Sequence, residues 1–258
     1  MQLSDSARKQ GALWGAAARD WVDIQEPTAV ALWTAVLDAA GAGRGRRLLD
    51  AGCGAGGASV MAFGRGALVS GCDASEGLLA IARKRLPGAD LKLGELENLP
   101  FPDASFDVVL AVNSLQFTSN PARAAQEMVR VAAPGGRIAV VVWSVEHCEQ
   151  RRVFDAILAL FDDPPKGRGV FALSAPGEVD ALFPGLVTRT IEIDCPFVYP
   201  SLAIALRGQM AAGPSQRVCE IFGREKVETV VRKALDPFRT SSGEVRLRNR
   251  FRCVVITC

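Results

Sequence analysis

A glycine-rich segment, RRLLDAGCGAGG over residues 46–57, constrains the fold of this chain more than any other stretch. An acid, Asp50, follows the apolar pair Leu48 and Leu49, and four of the next seven residues are glycine. The pattern predicts a strand, a tight turn and a helix start, because a backbone that bends sharply beside a ligand leaves no room for Cβ atoms. The amino terminus of that helix is expected to offer free N–H groups to an anionic group of a nucleotide-like ligand.

Apolar strand patterns alternate with helical patterns along the chain, which predicts an α/β fold with a parallel sheet covered on both faces. The further predicted strands are residues 67–72, 90–94, 106–112, 137–143, 187–194 and 244–257. The predicted helices are residues 5–20, 29–40, 75–86, 120–131, 150–161 and 174–183, together with most of 196–239. Residues 162–169, DDPPKGRG, are interpreted as a flexible break.

Composition excludes several classes of protein. The 258 residues suit one domain with an elaboration, and their net charge of +2 is too balanced to favour nucleic acid as a partner. The sequence holds no apolar run of about 18 residues, and its first residues lack the apolar core of a secretory signal, so neither a membrane span nor export is expected. The seven cysteines are scattered without a CxxC pair, which predicts reduced thiols in a cytoplasm and no metal site.

Three interpretations of the glycine turn compete: a structural turn, a dinucleotide site and an S-adenosylmethionine site. Gly52, Gly54 and Gly57 satisfy the GxGxxG spacing of the nicotinamide and flavin dinucleotide class. Asp73, at the end of the next strand, can accept hydrogen bonds from a ribose of either cofactor. Asp50 favours S-adenosylmethionine, because an acid suits a ligand that carries an ammonium group and repels a pyrophosphate.

Four segments match the pattern of a known family in order and at its usual spacing. They read LLDAGCGAGG, GCDAS, GELENLPFPDASFDVV and RVAAPGGRIAVVVW, within residues 46–143. With them the sequence resembles the class I S-adenosylmethionine-dependent methyltransferases, and most of all the group of ubiquinone- and menaquinone-biosynthesis enzymes (methyltransferase type 11). The resemblance implies a Rossmann-like, seven-stranded, mostly parallel sheet in the order 3-2-1-4-5-7-6, with helices on both faces and a small helical cap.

The resemblance also implies a division of the chain. Residues 1–258 would form a single methyltransferase domain, in which residues 1–45 are N-terminal helices or a lid. Residues 46–143 would be the cofactor-binding core, and residues 144–258 the substrate-side half with a helical cap at about 196–240.

The glycine turn is implied to hold the methionine part of S-adenosylmethionine. The backbone around Gly52, Cys53 and Gly54 would contact this part of the cofactor. Asp50 is expected near its ammonium group. Asn113, just after the fourth strand, would face the sulfonium end.

Residues after the second and third strands are implied to hold the nucleoside part. Asp73 would bind the ribose hydroxyls, with Ala74 and Ser75 beside the adenine. Glu95 and Leu96 would meet the adenine edge, where a carboxylate suits the exocyclic amine. Many relatives have Asp where this chain has Glu95, so its side chain reaches further than theirs.

Three further residues are candidates with more than one open interpretation each. Trp14 and Trp21 either close over the cofactor or line the substrate pocket, or they simply pack the first helix onto the core. His147, the only histidine, lies just past the fifth strand between Glu146 and Glu149. It is either a general base oriented by a carboxylate or an exposed loop residue.

The expected reaction is methyl transfer to a small-molecule acceptor, with O-, N- and C-methylation all open. Such an in-line displacement depends mainly on positioning the two reactants and excluding water. The alternative is a protein that keeps the cofactor site but acts as a cyclase, isomerase or binding subunit. Four alternating arginines in residues 246–252 indicate either a solvated strand face or a site for an acidic partner. The oligomeric state is left open.

Overall fold

The computed structural model describes residues 3–163 and 169–258. Within these residues the chain forms nine strands. They are β1 (Arg47–Ala51), β2 (Leu68–Asp73), β3 (Asp90–Leu93), β4 (Phe106–Val112), β5 (Ala132–Cys148), β6 (Val187–Asp194), β7 (Phe197–Tyr199), β8 (Val245–Leu247) and β9 (Asn249–Thr257).

Seven of these strands form one sheet in the order β3-β2-β1-β4-β5-β9-β6. Strands β1 to β5 pair in parallel, and β9 runs antiparallel to both of its neighbours, β5 and β6. Strands β7 and β8 pair with each other outside this sheet. The predicted order, with a reversed last strand inserted beside the fifth, is therefore confirmed.

The two faces of the sheet explain why its central strands are continuously apolar. Leu48 and Leu49 are both fully buried, and they belong to two different core clusters. Neighbouring residues of a strand point to opposite faces, so both faces of β1 are covered. The helices that cover them keep water from the backbone of the parallel strands.

Ten α-helices accompany the strands in the described residues. They are α1 (Asp5–Gly15), α2 (Ala18–Asp20), α3 (Val30–Ala40), α4 (Gly57–Gly64), α5 (Glu76–Arg85), α6 (Pro121–Val131), α7 (Arg151–Leu158), α8 (Leu202–Met210), α9 (Gly213–Phe222) and α10 (Arg224–Leu235). Four helices begin after a capping residue whose side-chain oxygen accepts a hydrogen bond from a backbone N–H of the first turn. The capping residues are Ser4 for α1, Ser75 for α5, Asn120 for α6 and Ser201 for α8. None of the helices is long and apolar enough to cross a membrane, over the ranges described above.

Several predicted elements differ in extent. The first helical stretch ends at Gly15 and resumes as α2 and a π-helical turn, Trp21–Gln25. Residues 174–183 form turns and a short 3-10 helix, not the predicted α-helix. The predicted last strand breaks at Arg248, whose backbone N–H donates to the carboxylate of Glu149 instead of to a neighbouring strand. Most of the predicted break at 162–169 lies outside the described residues.

Candidate active site

One cavity lies at the carboxyl ends of β1, β2 and β4, the edge where parallel sheets of this kind bind ligands. It is lined by eleven of the twelve predicted cofactor residues. They are Trp14, Trp21, Asp50, Gly52, Cys53, Gly54, Asp73, Ala74, Glu95, Leu96 and Asn113. The exception is Ser75, which is buried and caps α5 through its hydroxyl.

The glycine turn uses its own N–H groups internally. The amides of Gly52 and Cys53 both donate to the carbonyl oxygen of Cys72, at 2.7 and 3.0 Å. The amide of Gly54 donates to Oδ2 of Asp73 at 2.8 Å. Gly52 has a φ of 81°, and a Cβ at this position would collide with the side chain of Ser114. The turn therefore offers carbonyl oxygens, not a nest of N–H donors, to a ligand.

The start of α4 is also occupied by the protein itself. The carboxylate of Asp50 accepts from the hydroxyl of Ser59 at 2.7 Å and from the Ser59 backbone. The carboxylate of Glu26 accepts from the backbone of Gly57. The expectation that this helix end would offer free N–H groups to an anionic ligand is wrong, because two acidic side chains already fill it.

Three carboxyl groups thus line the cofactor side of the cavity, of which Asp50 and Glu26 are buried and Asp73 is half-buried. The pKa of Asp50 is raised to about 6, mainly by burial and also by the nearby charges of Asp73 and Glu26, while the bonds from Ser59 oppose the shift. Burial also raises the pKa of Asp73 and of Glu26. Of these three carboxyl groups, Glu26 alone has a cationic partner among the described residues, Arg85 at 2.6 Å. A ligand with a positive charge near Asp50 would relieve this repulsion.

Helix α1 covers the nucleoside side of the cavity. The backbone and hydroxyl of Ser4 donate to one carboxylate oxygen of Glu95, at 3.2 and 2.5 Å. Gly11 packs so closely on the Ala74 carbonyl that a Cβ would overlap it, and a Cβ on Gly15 would come within 2.8 Å of the Ser75 hydroxyl. These close approaches place α1 over the residues predicted to contact the adenine.

The two tryptophans both pack and line the cavity. Trp14 meets Trp21 edge to face, with ring centroids 4.9 Å apart, and meets Phe117 in the same way at 5.3 Å. Gly213 at the start of α9 brings that helix against the indole of Trp14. Trp14 and Trp21 therefore pack against other side chains and also line the cavity, so their position is compatible with a packing role and with a role beside a ligand.

Asn113 directly follows β4 and has a left-handed backbone conformation, with a φ of 61°. Its side-chain oxygen accepts from the amide of Gln116 at 2.5 Å, and its backbone N–H donates to the carbonyl of Val141 at 3.2 Å. The side-chain amide of Asn113 is therefore held at the cavity wall.

His147 does not reach this cavity. It is exposed near the end of β5 and is not among the described lining residues. Its neighbour Glu149 is bonded to Arg248 at 2.6 Å, and Glu146 lies 3.8 Å from Arg252. The two carboxylates that were expected to orient His147 thus lie beside arginines. The structure therefore does not support a role for His147 as a general base.

The arginines of residues 246–252 are mostly paired with carboxylates. The pairs are Arg248 with Glu149, Arg250 with Asp194 at 2.7 Å, and Arg252 with Glu192 at 2.9 Å. Arg252 is only 8% exposed and also donates to the carbonyl of Ser174. The predicted solvated face is therefore wrong for Arg252, and three of the four charges are compensated within the fold.

Residues 49–140 match a family model described as a methyltransferase domain. This range runs from β1 through β5 and contains the glycine turn, Asp73, Glu95 and Asn113. Within residues 49–140 the chain therefore carries a methyltransferase domain. Its cofactor is S-adenosylmethionine, which fits the acidic, N–H-poor turn described above.

Relatives of the methyltransferase domain agree with this assignment. The demethylmenaquinone methyltransferase of Renibacterium salmoninarum is 38% identical over 109 residues, 42% of this chain and 46% of that protein. The malonyl-acyl-carrier-protein O-methyltransferase of Serratia marcescens is 40% identical over 94 residues, 36% of this chain and 37% of that protein. The chain thus spans about half the length, or less, of these curated relatives.

The fold as a whole is shared with a solved methyltransferase. An S-adenosylmethionine-dependent methyltransferase of Thermotoga maritima superposes with a TM-score of 0.58 at 19% identity, over 96% of this chain and 99% of that one. This likeness extends the shared fold well beyond the matched domain.

Several cavity residues lie outside the matched domain and were missed from the sequence. Glu26 follows a π-helical turn, and its position beside α4 is visible only in the fold. Three buried glutamines, Gln25, Gln150 and Gln209, also line the cavity. Isolated Gln residues in helical patterns gave no signal that could have found them.

Proposed function

We propose that this chain transfers a methyl group from S-adenosylmethionine to a small-molecule acceptor. The observation that carries the proposal is the charge of the cofactor side: the N–H groups of the turn are used internally, and Asp50 remains without a cationic partner among the described residues. This arrangement suits a sulfonium and an ammonium group and opposes the pyrophosphate of a dinucleotide.

Each cofactor group has a proposed partner. Asp50 and the carbonyl oxygens of the glycine turn face the ammonium group, and Asn113 faces the sulfonium end. Asp73 accepts from the backbone amides of Gly54, Ala74 and Ser75, and its remaining acceptor capacity is proposed to serve the ribose hydroxyls. Ala74 and Leu96 pack against the adenine. Glu95 has one oxygen bonded to Ser4, which leaves its other oxygen for the exocyclic amine.

Bound S-adenosylmethionine supplies an activated methyl group and a neutral leaving group. The chain contributes positioning and exclusion of water, since α1 covers one side of the cavity and aromatic side chains line the other. The lining residues would hold the acceptor atom in line with the carbon–sulfur bond, so that the new bond would form as that bond breaks, with its electron pair left on sulfur and any acceptor proton released to bulk solvent with the product. His147 has no part in this proposal.

The test is production of S-adenosylhomocysteine. The protein is first titrated with S-adenosylhomocysteine and with NADH, and we expect binding of the former only. It is then incubated with S-adenosylmethionine and a panel of neutral, cationic and anionic small molecules, with mass-spectrometric detection of methylated products. Binding without turnover across the panel would favour the non-methylating alternative, and binding of NADH alone would overturn the proposal.

The division of the chain and its compartment belong to the same proposal. Residues 1–45 act as a lid, and residues 196–240 as a cap over the acceptor. All seven cysteines are free thiols, and burial raises the pKa of Cys53, Cys72 and Cys148. This supports a reducing compartment such as the cytoplasm.

A further inference from the structure

Four buried side chains, three of which line the cavity, form a hydrogen-bonded chain. We call them the glutamine cluster: Gln25, Gln150, Gln209 and Tyr199. Each is at most 8% exposed, and the three glutamines line the cavity. They come from four separate segments, namely the π-helical turn, the residue before α7, helix α8 and strand β7.

The members of the cluster satisfy one another. Gln150 and Gln209 exchange two amide hydrogen bonds, at 2.6 and 2.9 Å. Gln209 also donates to the hydroxyl of Tyr199 at 3.0 Å, and that hydroxyl donates to Gln25 at 2.8 Å. Burial raises the pKa of Tyr199, which keeps the hydroxyl protonated as a donor. A buried polar network of this size is costly unless its members are held in place.

Backbone packing holds the cluster in place. Gly208 precedes Gln209, and a Cβ on Gly208 would come within 2.8 Å of Ile24 and 3.3 Å of the Gln25 side chain. The backbone N–H of Gln150 donates to the buried side chain of Asn249 at 2.9 Å. Helix α8 and the residues before α7 are thereby fixed against the π-helical turn.

Donor capacity is left over for a ligand. Gln209 donates twice, so its amide nitrogen is fully used. Gln150 donates once among the described residues, and the amide of Gln25 has only a long contact of 3.4 Å with Thr28. Each of these two side chains therefore keeps an N–H group that a ligand oxygen can accept from.

Aromatic rings form the walls beside the cluster. Trp143, Phe154, Phe197 and Phe251 all line the same cavity. The ring centroids of Trp143 and Phe251 lie 4.3 Å apart, and the angle between the ring planes is 32°. Phe154 and Phe197 meet Trp143 closer to edge-on, with centroid distances of 6.3 and 5.9 Å. A space bounded by ring faces and edges suits a flat aromatic molecule.

Among the described residues, no cationic side chain lines the cavity to receive an acid. Among the described lining residues none is Lys, Arg or His, and the charged ones are Glu26, Asp50, Asp73, Glu95 and Glu97. The arginines of β9 are already paired with Asp194 and Glu192. A carboxylate or phosphate entering here would lose its hydration without gaining a counter-charge.

We propose that the glutamine cluster is the recognition site for a neutral aromatic acceptor that carries a hydrogen-bonding oxygen, such as a phenol hydroxyl or a ring carbonyl. This inference rests on the proposed function, because it names the acceptor class of the same site. Gln150 and Gln25 donate to the oxygen, the aromatic walls stack on the ring, and the site rejects carboxylates and phosphates.

The experiment uses three probes that share one ring system: 4-hydroxybiphenyl, biphenyl-4-carboxylate and 4-fluorobiphenyl. Each is titrated into the full chain saturated with S-adenosylhomocysteine, and again into the free protein. We expect 4-hydroxybiphenyl to bind at least about tenfold more tightly than either of the others. Equal or weaker binding of 4-hydroxybiphenyl, including no binding by any probe, would overturn the inference.

A double variant, Gln150→Leu with Gln209→Leu, removes both partners of the amide pair, so neither is left unpaired by the other. It should lose the preference for 4-hydroxybiphenyl while its Kd for S-adenosylhomocysteine stays unchanged. Gln216→Ala is the matched control, because Gln216 donates to the carbonyl of Met210 away from the cavity lining. Wild-type selectivity in a folded double variant would contradict the inference.

The two proposals fail in different ways. A chain that does not bind S-adenosylhomocysteine contradicts the proposed function, and the probe titrations of the free protein then decide on the glutamine cluster alone. If the double variant does not fold, the comparison of the three probes on the wild-type chain still confirms or refutes the selectivity.

Discussion

Replacing Asp50 by Asn is expected to stabilise the ligand-free protein while weakening cofactor binding. The side chain is 2% exposed, and its pKa is raised from 3.8 to about 6. Since the folded state holds the proton more tightly than the unfolded chain, the free energy of unfolding falls as the pH rises from about 4 to about 6. A shift of about two pKa units corresponds to about 3 kcal/mol of destabilisation at neutral pH.

Asn keeps much of the geometry. Its side-chain oxygen can still accept from the hydroxyl of Ser59, which lies 2.7 Å from Asp50. Its amide nitrogen cannot accept from the Ser59 backbone, so part of the gain is lost. We therefore expect a net stabilisation of about 1–2 kcal/mol, which raises Tm by about 2–8 °C for a chain of this size.

The same variant removes the negative charge proposed to face the ammonium group. A hydrogen bond to a charged group contributes about 1.5–3 kcal/mol, so the Kd for S-adenosylhomocysteine should rise about 10- to 100-fold. Urea unfolding of the free protein at pH 7.5 and calorimetric titration measure the two effects separately. Asp38→Asn is the control, because Asp38 is exposed on α3 and pairs with Arg65 at 2.6 Å. A variant of Asp50 that unfolds more easily, or that binds like the wild type, would refute the reasoning.

Three further predictions concern the lid, the pH profile and the histidine. Gly11→Ala should weaken S-adenosylhomocysteine binding by about 5- to 100-fold in a calorimetric titration, because the new Cβ overlaps the Ala74 carbonyl. Gly64→Ala is the control and should leave binding unchanged, because its Cβ on α4 meets open space. The Kd of the wild type should rise about tenfold from pH 7 to pH 5, because protonation of Asp50 removes its charge, and a flat profile would contradict this. His147→Gln should leave methyl-transfer turnover unchanged, whereas a loss of more than about tenfold would restore the general-base hypothesis.

The core of the fold was predictable because its information is local. The apolar runs of β1, β4 and β5, the acids near the ends of β1 and β2, and the glycine turn each lie within a few residues. Parallel strands meet at one edge, so the placement of Asp50 and Asp73 together followed from their position near the ends of strands.

The parts of the fold and of the cavity that were not predicted depend on contacts between segments that are distant in the sequence. The glutamine cluster joins residues up to 174 positions apart, as in the bond between Tyr199 and Gln25. The β7–β8 pair likewise joins two short segments separated by three helices. The error at the start of α4 had a similar origin, because Glu26 reaches Gly57 from another part of the chain. Local periodicity carries no information about such pairings.

The position of β9 has a consequence for the order of folding during synthesis. This strand inserts between β5 and β6, pairing Val140 with Val254 and Thr190 with the same residue. Strands β1 to β5 can assemble as soon as they leave the ribosome, but one edge of β5 stays unpaired until more than a hundred further residues have been made. An open, apolar strand edge can pair with strands of other chains. Until β9 is added, the nascent chain must therefore fold quickly or be bound by chaperones to avoid aggregation.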